Sequence, residues 1–365
     1  MAISDQANTL GSRTVLNTTL VLGARVVSRL VALVMVVKLA NYLGPDSYGR
    51  YTTLVAYSAL VSVVADFGLS PLYTREAARD PERLSAFLAT MLSGKLALGV
   101  ASTAILALAL WTAGLGSLVV PGAALLVLTS YATLLRNTFY AQGRMQFEAV
   151  AILAEIAIQF SLIVLGAHLH APLGFFVWAY AASFGFTCAY CLTVIPLFGL
   201  GRIGLGFEVK LFRSWLALAF PFALGAFLTN LYFRADVPIL SHFKSFQEVG
   251  WYQFAYKPFE ALQFVPLAVQ AAVYPVLAVY FKEKGPRLGV AYGRFFKILV
   301  LLGWPLTVGT VVLVHRIGRL FSLYPQSEPS LRILALAIVF LFANSAFTAM
   351  LYAIDRQKLF AWLTG

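Results

Sequence analysis

The sequence predicts an all-α polytopic membrane protein made of two pseudo-symmetric helical bundles, and three observations lead there. Of 365 residues, 60% are hydrophobic and only 12% charged. The mean hydropathy of +0.82 is too apolar for a water-soluble domain. Apolar runs of about 20 residues, each long enough to cross ~30 Å of hydrocarbon as a helix, recur along the whole chain. The runs are continuous rather than alternating in short segments, which argues against a membrane β-barrel and suits the need to pair every backbone group within its own segment.

Ten full runs are expected, at residues 16–40, 49–72, 85–112, 118–140, 147–168, 173–196, 214–240, 250–280, 291–315 and 330–353. The first follows "MAISDQANTLGSRTVLN", which lacks the basic start and cleavage site of a removable signal peptide, so it is expected to remain as a helix. It ends at "YLGPDSYGRY", where Gly44-Pro45-Asp46 predicts an outer turn: Pro cannot continue the helix and Gly tolerates a reversed backbone. Basic connections carrying Arg75, Arg79, Arg83, Arg136, Arg144, Arg202, Lys210 and Arg213 follow alternate runs. With Arg13 of the N-terminus and Lys282, Lys284, Arg287, Arg294, Lys297, Arg356 and Lys358 further on, that face holds sixteen Lys and Arg in all, against four (Arg50, Lys244, Arg316, Arg319) on the opposite face. By the positive-inside rule the N-terminus is cytoplasmic, and the net charge of +12 is mostly a topology signal rather than a mark of nucleic-acid binding. A stub in "LFAWLTG" reads as the start of an eleventh helix, so the second bundle is expected to be incomplete.

A shift of 201 residues aligns "YLGPDSYGRY" with "FKSFQEVGWY", matching Gly49 to Gly250 and Tyr51 to Tyr252. Both stretches follow the first helix of a six-helix block, a repeat plan frequent in transporters. The expected division is an N-terminal bundle over 1–198, a cytoplasmic linker over 199–213 and a C-terminal bundle over 214–365. No connection is long enough to hold a soluble domain.

Motifs that would signal enzyme chemistry are weak. Gly199, Gly201 and Gly204 spell G-x-G-x-x-G, but without the strand and helix that a dinucleotide site requires. Cys188 and Cys191 lie in the sixth apolar run, where cysteine behaves as a small hydrophobe. His168 and His170 lack further ligands nearby. Neither an enzyme, a cofactor nor a metal is expected.

Charges inside the runs carry more. An ionisable group at bilayer depth costs at least ~2.5 kcal/mol and is by default a functional candidate facing an interior cavity. Arg25 and Arg29 lie i, i+4 on the first run with no acid between Asp5 and Asp46, and share a face. Guanidinium suits phosphate oxygens, so this pair is the leading anion-binding candidate, expected in a water-accessible hollow at mid-membrane. Asp66 is a candidate partner for Arg25. Lys95, Lys38 and Arg332 are candidates for snorkelling. Glu155 stands on the fifth run. Arg234 and Asp236 on the seventh and Lys257 and Glu260 on the eighth reach similar depths, where they are expected either to pair across the hairpin or, for Arg234 and Lys257, to meet substrate. Asp66, Glu155, Asp236 and Glu260 are read as coupling groups or structural pairs. Pro258, Pro266 and Pro275 give the eighth run three candidate hinge points.

Residues 39–80, "LANYLGPDSYGRYTTLVAYSALVSVVADFGLSPLYTREAARD", resemble the first outer hairpin and second helix of Wzx-type oligosaccharide flippases, in the multidrug/oligosaccharidyl-lipid/polysaccharide exporter superfamily. "RNTFYAQGRMQFEAV", residues 136–150, is similar to their loop between helices four and five. Members usually have twelve or fourteen helices, and this chain departs from that number. The resemblance implies movement of a polyprenyl-pyrophosphate-linked oligosaccharide from the inner to the outer leaflet of the bacterial inner membrane, for O-antigen or exopolysaccharide assembly beside a polysaccharide polymerase. Arg25 and Arg29 would then meet the pyrophosphate. Two other readings stand beside it. A cation-coupled multidrug exporter would want an acid in the first helix, and a membrane glycosyl polymerase or ligase would want a long outer loop with catalytic residues.

Overall fold

A computed structural model describes the backbone at residues 2–282, 287–320 and 324–354, and the side chains there except at 2–18, 264, 267, 268, 271, 272, 275, 278, 282 and 352. Among the described residues there are thirteen α-helices and no strand. They are α1 (Ala2–Asp66), α2 (Leu69–Arg79), α3 (Leu84–Thr112), α4 (Val119–Ala141), α5 (Met145–His168), α6 (Leu173–Leu197), α7 (Val209–Arg234), α8 (Asp236–Phe243), α9 (Phe246–Leu262), α10 (Phe264–Lys282), α11 (Arg287–Val312), α12 (Val314–Leu320) and α13 (Glu328–Ala353). Among the described residues eight helical stretches are long and apolar enough to cross a membrane. Nine of the ten sequence runs map onto these eight stretches, the first two being joined in α1, and the eighth run is divided between α9 and α10. The start of an eleventh helix falls in 355–365, outside the described residues.

The apolar part of α1, Thr19–Asp66, has 48 residues. A straight helix of that length would measure about 72 Å, far more than one bilayer crossing needs. Gly44 divides it: with φ 73° and ψ 170° it leaves helical geometry, a conformation glycine adopts without a Cβ penalty, and Pro45 then opens the next segment with its φ already set. That segment stops at Asp66 rather than near 72 as the sequence suggested. Phe67 and Gly68 both take positive φ, 47° and 70°, and α2 departs as an amphipathic helix with Leu69, Leu72, Tyr73 and Ala77 buried while Arg75 and Arg79 stay exposed.

The 201-residue echo has a structural counterpart. It maps Gly44 onto Ser245, and each residue immediately precedes a helical segment, Ser245 as the N-cap of α9 with its side chain accepting from the Glu248 N–H. A Cβ on Gly49 would lie 1.8 Å from the Phe246 carbonyl oxygen, and one on Gly250 would lie 2.0 Å from the Pro45 carbonyl oxygen. Pro45 and Phe246 are themselves 201 apart, so the two contacts are reciprocal.

Prolines break two of the expected long helices. Pro238 and Pro266 each stand three residues beyond a turn residue, Ala235 and Gln263, that ends one helix before the next begins. Proline cannot donate to the carbonyl four residues back and its ring crowds that carbonyl, so α7 stops at Arg234 and α9 at Leu262. Pro258, by contrast, lies buried inside α9 without ending it. Pro275 falls within α10, and its side chain lies outside the described residues.

By contact the chain forms two compact units, one of Met1–Tyr42 with Arg50–Phe243, the other of Leu43–Gly49 with Lys244–Gly365. In the first, α4 packs most extensively on α6, flanked by α2, α3 and α5. Leu69, Leu72, Tyr73, Leu88, Met91, Leu134, Leu135, Phe139 and Ile195 belong to one core cluster there. α7 belongs here: Trp215 and Ala219 join the same cluster, and Gly68 approaches the Ala219 carbonyl so closely that a Cβ would sit 2.6 Å from it. The division therefore falls at Phe243 and Lys244 rather than in the expected 199–213 stretch. In the second unit α11 packs along α13, with α9 and α10 against α13, around Phe259, Leu277, Phe295, Leu299, Ile338 and Phe342.

Candidate functional site

Two buried ionic clusters lie in the first unit. Lys95, on α3, is 1% exposed. Its ammonium donates to Asp66 Oδ1 at 2.6 Å, to the Ser130 carbonyl at 3.0 Å and to Ser130 Oγ at 2.9 Å. Three hydrogens thus meet three short acceptors, which is what a charge removed from water requires. Asp66 uses its other oxygen on the Ser70 N–H at 3.3 Å and also accepts from the Ser70 hydroxyl, so it caps the start of α2 while neutralising Lys95. This corrects two sequence expectations: Asp66 pairs with Lys95 rather than Arg25, and Lys95 is enclosed rather than snorkelling. Depth in sequence could not distinguish these partners, because the break at Phe67–Gly68 decides where Asp66 points.

The second cluster joins α4, α5 and α6. Arg136 grips Glu148 with two parallel bonds, Nε to Oε2 at 2.9 Å and Nη2 to Oε1 at 3.0 Å, and reaches Glu155 Oε2 with Nη1 at 3.0 Å. Thr187 donates to the same Glu155 oxygen at 2.8 Å. Side-chain exposure is 18% for Arg136, 2% for Glu148 and 17% for Glu155. Sequence reasoning counted Arg136 among the loop charges and missed Glu148, Tyr140 and Thr187. A usable signal was present: Arg136 and Tyr140 lie i, i+4 on one helix, Glu148 and Glu155 i, i+7 on the next, and only residues 142–144 separate the two helices.

Arg25 touches this cluster from α1. Its Nη2 donates to the Tyr140 hydroxyl at 2.8 Å, and that hydroxyl donates to Glu148 Oε1 at 3.1 Å. Val21 and Ala24 pack beside it on Ala149 and Ile152 of α5. Tyr140 is one residue from the end of α4 and Glu148 is in the first turn of α5, so the Arg25 guanidinium lies level with the α4–α5 turn, at one end of the bundle rather than at the mid-membrane depth the sequence suggested. Arg25 and Arg29 are both exposed, and among the described residues neither forms an ion pair.

The remaining candidates separate by helix ends. Lys257 bonds Glu260 at 2.8 Å within α9, one turn apart. Arg234 is the last residue of α7 and Asp236 the first of α8. A cation at a helix C-terminus and an anion at an N-terminus are each favoured by the aligned peptide dipoles. Two cavities flank the first unit. One of about 570 Å³ is lined by Glu82, Ser85, Gln142 and Arg202 among others. The other, of about 250 Å³, has Lys38 and His168 beside Tyr42, Ile163 and Phe176. Cys188 and Cys191 are buried and unbonded to each other, in keeping with a packing role.

Residues 15–281 match the model of the polysaccharide biosynthesis protein family, well over half of the chain. The chain belongs to this family. A second model, MatE, matches residues 221–365. A search of curated protein sequences gives no match. Among solved structures this family member is similar to the lipid II flippase MurJ in an inward closed conformation, at 16% identity and a TM-score of 0.75, covering 95% of this chain and 78% of that one. It is also similar to an inward-facing multidrug resistance MATE family transporter of the MOP superfamily, at 16% identity and a TM-score of 0.68, covering 92% of this chain and 83% of that one. A MOP superfamily transporter from Pyrococcus furiosus, whose binding pocket is described as reversed in polarity, aligns at 16% identity with a TM-score of 0.59, over 97% of this chain and 84% of that one. At such identities the likeness concerns the fold, that of multi-pass membrane transporters and flippases.

Proposed function

We propose that this protein moves a polyprenyl-diphosphate-linked oligosaccharide from the inner to the outer leaflet of a bacterial cytoplasmic membrane, by alternating access and with its N-terminus cytoplasmic, for surface polysaccharide assembly alongside a polymerase. The observation that carries the reading is the pair Arg25 and Arg29: exposed, one turn apart and without a carboxylate, beside clusters in which Lys95 and Arg136 are fully paired. A diphosphate can use charges that no carboxylate neutralises, and a guanidinium offers it parallel donors. Membership of the polysaccharide biosynthesis family supports a sugar-bearing cargo. Asp66, Glu155 and Glu260 are held by Lys95, Arg136 and Lys257, which favours a structural role for them over ion coupling.

The MatE match over 221–365 favours a second reading, a multidrug exporter. Cells whose only copy carries Arg25→Ala or Arg29→Ala separate the two. A flippase defect accumulates lipid-linked oligosaccharide on the cytoplasmic side and depletes surface polysaccharide, whereas an exporter defect alters drug sensitivity and leaves the sugars untouched. Normal surface polysaccharide in both mutants would remove the arginine assignment.

A further inference from the structure

We infer that Tyr140 and Glu148 are positioning residues for the anion-binding guanidinium of Arg25, locked in turn by Arg136. The inference rests on Arg25 meeting a diphosphate. Hydrogen-bond polarity along the chain of contacts is fixed. The Glu148 carboxylate accepts from Arg136 Nε and Nη2 through both oxygens, and Oε1 accepts once more from Tyr140. An ionised carboxylate has no proton to give, so the single phenolic hydrogen of Tyr140 is committed to Glu148. Its lone pair is thereby turned toward Arg25 Nη2, 2.8 Å away.

The consequence for binding is specific. A carboxylate touching Arg25 would neutralise it, and an incoming diphosphate would have to displace that partner. A phenol oxygen orients the guanidinium while leaving its charge and four of its five N–H donors available. Ordering a long, rotamer-rich side chain before the ligand arrives removes part of the entropy cost of binding. Arg29, without such a tether among the described residues, supplies charge but not preorganisation. The Glu148 carboxylate is itself held rigid because Arg136 also spans to Glu155, which Thr187 fixes from α6. Three helices thus converge on the orientation of one exposed side chain of α1.

A plain structural role, anchoring α1 to the bundle, would make a different prediction, and a double-mutant cycle separates the two. The full chain is purified into lipid nanodiscs, and binding of farnesyl diphosphate and farnesyl monophosphate is measured together with the melting temperature. Arg25→Ala is expected to weaken farnesyl diphosphate binding by about tenfold or more. Tyr140→Phe, which deletes one oxygen, is expected to weaken it about fivefold, the worth of one hydrogen bond, with less effect on the monophosphate and a melting temperature close to wild type. The double variant should bind no worse than Arg25→Ala alone. If Tyr140→Phe fails to fold, Tyr140→Leu, which likewise removes the hydroxyl and leaves the Arg136–Glu148 pair intact, is read in the same way. Wild-type affinity in Tyr140→Phe, multiplicative losses in the double variant, or an equal loss for both ligands with a lowered melting temperature would overturn the positioning role while leaving Arg25 in place. Absence of diphosphate binding in the wild type, or unchanged binding in Arg25→Ala, would instead overturn the diphosphate reading, and this inference with it.

Discussion

At Lys95 every ammonium hydrogen has an acceptor, and the arrangement works only as a set. Replacing it by Met leaves Asp66 facing α3 without its cation. Breaking one side of a buried pair costs about 3–5 kcal/mol, whereas replacing both partners costs far less. Lys95→Met should therefore lower the thermal unfolding midpoint in detergent sharply, and Asp66→Asn added to it should restore part of the loss. An additive double mutant would contradict the pairing. Arg136→Lys should also destabilise the fold, by about 1–3 kcal/mol, because one ammonium cannot reproduce the fork on Glu148 together with the reach to Glu155. That both clusters were only half legible in the sequence has a plain cause. Which residues are apolar and which are charged is a property of each run, but which charges meet depends on helix ends. Asp66 turns toward Lys95 because α1 stops at Asp66 itself, and Arg136 is drawn inward because α5 presents two glutamates on one face.

The helices are punctuated by backbone chemistry that the sequence states openly, though not always with its consequence. Gly44-Pro45 was readable as a helix end; that Leu43–Gly49 would pack with the chain beyond Lys244 was not, since nothing local in that heptapeptide reveals its neighbour. Pro238 and Pro266 were readable as kinks, and the breaks fall three residues before each. The reciprocal glycine crossing gives the 201-residue echo a physical reason: Gly49 and Gly250 recur because each faces a carbonyl with no room for a Cβ. Gly49→Ala and Gly250→Ala should each destabilise by about 1–3 kcal/mol or more through overpacking. Gly225→Ala, inside α7 with nothing within 4 Å of the added carbon, should be neutral or slightly stabilising. Limited proteolysis and melting curves on the three variants provide the comparison, and equal effects would remove the close-approach argument.

For the whole molecule, hydropathy was the strongest signal: ten expected runs correspond to helices, since a segment buried in lipid must be apolar regardless of its neighbours. Orientation rests on the basic connections and is open to a direct check. With Cys188 and Cys191 buried, single cysteines at His170 and Arg202 report from opposite ends of α6. The one at His170 should react with a membrane-impermeant maleimide in intact cells, and the one at Arg202 only after permeabilisation; the reverse pattern would invert the topology and place Arg25 at the wrong leaflet for capture. The account as a whole turns on two free guanidinium groups receiving a diphosphate. The most direct test is translocation of a polyprenyl-diphosphate oligosaccharide by the full chain in proteoliposomes, wild type against the Arg25→Ala/Arg29→Ala double variant. The account predicts transport by the wild type and loss of at least ~100-fold in the double variant, about 1.4 kcal/mol or more per arginine; transport by the double variant at the wild-type rate would contradict it.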